Sequence, residues 1–80
     1  MSDRAYVLIN VLPGQTGNVI NALSEIKQIK TIDPCWGKPD IFTIVEVSDQ
    51  DALSTLVLTR IHSIEVVAQT DTHLVYRLNK

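Results

Sequence analysis

Four runs rich in β-branched residues, two segments between them with helical apolar spacing, and a proline inside the second run predict an α+β sandwich of βαββαβ order. This is the ferredoxin-like arrangement, a four-stranded antiparallel sheet ordered 4-1-3-2 with both helices on one face. The proline, Pro34, cannot donate to a ladder, and this order puts its strand at a sheet edge, where that is tolerated.

The first strand is read over residues 6–12, a β-branched run that stops at the turn pair Pro13-Gly14. Val7, Ile9 and Val11 form a wholly apolar row, while Tyr6, Leu8 and Asn10 form a mixed one. From Thr16 to about Lys27, Val19, Ala22, Leu23 and Ile26 recur at helical spacing, with Thr16 as the expected N-cap. Residues 29–36 form a weaker strand because Asp33 and Pro34 interrupt it; it should lie at an edge or carry a bulge. Gly37-Lys38-Pro39-Asp40 then leads into a third strand over residues 41–47. Ser48 followed three residues later by Asp51 looks like a capping box, and Leu53, Leu56, Val57 and Ile61 supply the stripe of a second helix that ends near His62. The last strand runs from Val66 to Leu78, with Thr70, Thr72, Leu74 and Tyr76 on one face and Asp71, His73 and Val75 on the other.

The 80 residues (8.9 kDa) form one module, residues 1–80, with a core too small to be generous. Helices cover one sheet face only. The other, carrying Tyr6, Leu8 and, depending on register, Leu74 and Tyr76, would leave an apolar patch of the kind monomers avoid, so a second copy is the expected cover. One cysteine excludes an intramolecular disulfide, and with His62 and His73 it makes too few ligands for a structural zinc site. No cofactor motif is present. Seven Lys and Arg against nine Asp and Glu give a net charge of −2, the wrong sign for neutralising phosphates, so direct nucleic-acid binding is not expected. The longest apolar stretch is too short for a membrane span and no signal peptide is evident; a cytoplasmic protein is expected, which suits a free thiol.

The ordered series of a strand ending in Pro13-Gly14, the loop Gly37-Lys38-Pro39-Asp40, the apolar Leu56-Val57-Leu58 with Ile61, and Thr70-Asp71-Thr72 before a final apolar strand resembles the effector domain of Lrp/AsnC regulators, also called the RAM domain. The resemblance spans about residues 4–78. It implies a dimer whose sheets face each other as a dimeric α+β barrel, rings of dimers such as octamers, and an amino acid effector bound between dimers. Family regulators carry a helix-turn-helix domain ahead of this one; no helical pattern precedes the first strand here, so the chain resembles a stand-alone RAM protein that co-assembles with full-length Lrp/AsnC regulators. Two positions depart from the family pattern: Pro39, where Tyr is common, and Glu65-Val66, where Pro-Gly is common. The second removes a glycine able to adopt positive φ and is expected to change the turn or strain Val66.

By that resemblance Gly37, Asp40, Thr70 and Thr72 line the effector pocket. Asp40 is suited to accept an α-ammonium while Gly37 lets backbone amides approach a carboxylate; the competing reading is an ordinary hairpin loop using Gly and Asp for turn geometry. As an exposed loop carboxylate, Asp40 is expected to contribute little to folding. Thr70 and Thr72 share a face and offer hydroxyls, although β-propensity alone explains them. Trp36 is either a wall for a ligand or subunit, or edge filling in the core. Cys35 is read as a buried, inert thiol, and Asp71 with His73 as a solvent-facing pair rather than an acid/base dyad.

No catalytic residue is required by this reading. The rival is a small cofactor-free enzyme on the same barrel fold, which needs a deep pocket within one chain with His73, Asp71 or Trp36 directed into it. A pure oligomerisation unit without ligand is the third possibility.

Overall fold

The computed structural model describes residues 3–76, so the expected extension of the last strand through Arg77 and Leu78 lies outside the described residues. The elements are β1 (Asp3–Val11), α1 (Thr16–Leu23), β2 (Ile29–Pro34), β3 (Ile41–Val47), α2 (Gln50–Leu56) continued by a π-helical turn (Val57–Ile61), and β4 (Val67–Leu74). The sheet is antiparallel and ordered β2-β3-β1-β4, the arrangement the sequence predicts.

Register separates two faces. Val7 lies opposite Thr43 and Thr72, and Ile9 opposite Ile41 and Thr70, so these residues share the helix-covered side. There Ala5, Val7, Ile9, Ile41 and Val45 pack under Val19, Leu23 and Ile26 of the first helical segment and Leu53, Leu56, Val57 and Ile61 of the second. Thr43 is the buried polar residue of this layer; its Oγ1 donates to the Val7 carbonyl at 2.9 Å, which satisfies a hydroxyl that water cannot reach. On the open side Tyr6, Leu8, Phe42 and Ile44 are each half-buried, and the Tyr6 and Phe42 rings lie 5.6 Å apart across the strand pair. Leu74 does not join that patch. It lies opposite Ala5 and packs against the core, because a strand alternates strictly and its neighbours Thr70 and Thr72 already face the helices.

Both caps differ from their expected residues. Thr16 is the first helical residue of α1, and Gln15 occupies the cap without a side-chain capping bond. The cause is the turn before it: Gly14 takes φ +78°, and the Gln15 N–H donates to the Leu12 carbonyl, so the helix starts one position earlier. Asp49, not Ser48, caps α2; its Oδ1 accepts from the Ala52 N–H at 2.8 Å from an extended backbone. Helix α1 also stops at Leu23 rather than Lys27. Ser24 Oγ donates to the Asn21 carbonyl and the Ile26 N–H bonds to the Leu23 carbonyl, so the chain tightens into turns while Ile26 stays buried. The strand read to Trp36 ends at Pro34, with the expected edge position and a register shift between Ile29 and Thr31. No non-glycine residue among the described ones has positive φ, so Val66 is unstrained; its carbonyl accepts from the Leu12 N–H at 2.9 Å.

The π-helical turn was not legible in the sequence. The His62 N–H donates to the Val57 carbonyl five residues back, and the wider turn keeps Val57 and Ile61 both buried.

Candidate functional site

The loop between β2 and β3 is built from the backbone outward. Gly37 has φ +86°, where a side chain is strained, and a Cβ there would meet nothing within 4 Å. Within one chain Gly37 therefore serves the turn, not a close approach. The Cys35 N–H donates to the Asp40 carbonyl at 2.8 Å and closes the loop.

Asp40 is half-buried, which corrects its reading as an exposed loop carboxylate. Its Oδ2 accepts from the Val11 N–H at 2.8 Å, at the point where the β1–β4 register shifts between Asn10 and Val11. The β1–β3 ladder ends at the Ile9–Ile41 pair, which leaves the Val11 N–H without a strand partner, and Asp40 supplies the acceptor. That bond ties the loop to the end of β1 and occupies one carboxylate oxygen.

Trp36 is fully exposed, so it does not fill the core at the sheet edge. Cys35 is also exposed, contrary to the buried-thiol reading; its segment has left the sheet after Pro34, where the ladder ends. Thr16, Pro34, Cys35 and Trp36 line a shallow groove of about 330 Å³.

Thr70 and Thr72 stand on the helix side of edge strand β4, Thr70 half-buried and Thr72 exposed. Ile41, which follows Asp40, and Thr70 flank Ile9 from the two neighbouring strands. Loop and threonines are thus separated by two strand spacings, roughly 10 Å. Sequence reasoning missed His62: at the end of the π turn, its Nε2 lies 2.8 Å from the Thr70 Oγ1. Only the bare sequence order of an exposed histidine ahead of the T-x-T strand hints at it.

Asp71 and His73 lie opposite Leu8 and Tyr6 on the open face, both exposed. With Trp36 on a different loop, the three do not converge on one pocket, as the enzyme reading requires. A second depression, about 420 Å³, lies along α2 and the π turn and is lined by Gln28, Asp51, Thr55, Thr59 and Arg60 among others. Among the described residues no helix is long and apolar enough to cross a membrane.

The model of the Lrp/AsnC ligand binding domain matches residues 4–80. No curated protein sequence matches the chain. Among solved structures, the protein TTHA0845 from Thermus thermophilus is 27% identical, with TM-score 0.89, over 98% of this chain and 98% of that one. The E. coli AsnC structure is 18% identical with TM-score 0.89; the match covers 95% of this chain but 52% of AsnC. The feast or famine regulatory protein of M. tuberculosis, complexed with L-methionine, is 23% identical with TM-score 0.80, over 95% of this chain and 51% of that protein.

Proposed function

The chain belongs to the Lrp/AsnC ligand-binding domain family, and from that premise we propose that it binds an amino acid, using Gly37, Asp40, Thr70, Thr72 and Trp36, in an assembly of several copies. The observation that carries this is the state of Asp40. One oxygen holds the Val11 N–H, which fixes the carboxylate, and Oδ1 accepts no hydrogen bond among the described residues. A pre-oriented carboxylate with a free oxygen suits an ammonium group. The threonine hydroxyls, about two strands away, suit the other end of a zwitterion. A fold neighbour holding L-methionine supports the ligand class.

A second copy covers the open sheet face, where Tyr6, Leu8, Phe42 and Ile44 otherwise meet water, giving the dimeric barrel. Dimers join into a ring, commonly an octamer in this family, with the exposed Trp36 as an aromatic anchor at the junction. Full-length Lrp/AsnC regulators are the proposed further partners, since the same domain occupies about half of such proteins as E. coli AsnC.

The test is a thermal melt against a full amino-acid panel. A ligand at about 100 times its Kd adds roughly 2.7 kcal/mol to the native state, and in a domain of this size each 1 kcal/mol moves Tm by about 4–8 °C. At least one amino acid should raise Tm. If none does while light scattering still shows a ring, the chain is an oligomerisation unit.

A further inference from the structure

The His62–Thr70 contact deepens the amino-acid-binding reading and rests on it. Thr70 is one of the two hydroxyls proposed to meet the ligand, and a threonine hydroxyl can rotate freely between donating and accepting. In this structure it is engaged by an imidazole nitrogen at 2.8 Å. The His62 backbone is anchored at the end of the π-helical turn, its N–H bonded to the Val57 carbonyl. Such turns insert one residue into a helix and are found often at functional sites. Here the turn ends at His62, whose ring meets the edge strand.

We propose that His62 is a positioning residue: it fixes the Thr70 hydroxyl as a donor aimed at the carboxylate of the bound amino acid. The physical basis is the inventory of the imidazole. A neutral ring nitrogen can accept the Thr70 O–H and so turn that proton away from a ligand. A protonated ring has only N–H donors, so Thr70 must accept from Nε2 and its own proton is released outward. The cation adds its charge on the same side. Both effects favour a carboxylate, so the form with a protonated ring binds the ligand more tightly than the form with a neutral one.

Other ionisable groups surround the pair. Arg60 lies in the π turn, Glu65 in the turn into β4, and Asp71 and His73 on the opposite face of β4, all exposed. A variant at position 62 leaves all four in place, and the comparison therefore isolates His62.

The experiment is calorimetric titration of the intact protein with each L-amino acid that has no ionisable side chain, at about pH 5.5 and about pH 8. Wild type should bind about two- to fivefold more tightly at the lower pH, the gain from making a neutral hydrogen bond charge-assisted. His62→Gln, which keeps a hydrogen-bonding amide without a titratable ring, should bind with equal affinity at both. Its melting temperature should match wild type, since the contact is exposed. Equal wild-type affinity at the two pH values, or a pH dependence that survives His62→Gln, overturns the assignment while leaving amino-acid binding intact. No binding by wild type at either pH overturns both.

Discussion

Replacing Asp40 with alanine tests how the loop is tied to the sheet. The carboxylate oxygen is 2.8 Å from the Val11 N–H, and the residue is half-buried. A hydrogen bond to a charged group is worth about 1.5–3 kcal/mol when buried; partial solvent access lowers this to about 1–2 kcal/mol. At about 4–8 °C per kcal/mol for a domain this small, Asp40→Ala should lower Tm by roughly 5–15 °C. Asp40→Asn keeps an acceptor oxygen and loses only the charge, so its loss should be about half as large. The two variants separate the two jobs of the residue. Asn holds the loop but cannot neutralise an ammonium group, so Asp40→Asn should remain folded and fail to respond to any amino acid. Melts by circular dichroism, with and without the amino-acid panel, read both. An Asp40→Ala protein that melts with wild type would show that the bond to Val11 does not form in solution. An Asp40→Asn protein that still gains stability from an amino acid would remove Asp40 from the ligand site.

Thr43→Val keeps the shape of a fully buried side chain but deletes its bond to the Val7 carbonyl, and should cost about 1 kcal/mol in a urea titration with an unchanged m-value. Light scattering should give at least a dimer at micromolar concentration, and Leu8→Asp, which puts a charge into the open face, should shift the mass toward one chain without unfolding it. Cys35, being exposed, should react fully with a thiol reagent in the absence of denaturant in any form that leaves its loop free.

Strand order and the two faces of β1 were legible in the residue pattern. Val7 and Ile9 belong to the wholly apolar row and face the helices, and Pro34 must lie at an edge. Leu74 resisted the same reading because Thr70, Thr72 and Leu74 are weakly apolar as a row, so that alternation alone could not say which side of β4 faced in. Both caps slipped by one: Gln15 takes its place from the turn at Gly14, while Asp49 is as good a cap by residue type as its neighbour Ser48, and only the start of the helical backbone decides between them. At the site, Gly37 and Asp40 were found as a pair, but the bond from Val11 to Asp40 spans 29 residues and depends on where the β1–β3 ladder ends, which only the folded sheet shows. His62 was invisible for a similar reason: a π turn has no composition of its own.

The exposed Trp36 has a practical consequence. It is the only tryptophan in the chain, and it lies outside the core. Its fluorescence therefore reports on the surface rather than on folding: the indole of an isolated chain is already in water, and denaturant has little left to change. Unfolding followed by tryptophan emission would show a flat trace for a well-folded subunit. A blue shift on raising protein concentration, or quenching on adding an amino acid, would instead register contact at the loop. The same fluorophore that is silent about the fold is thus placed to watch association.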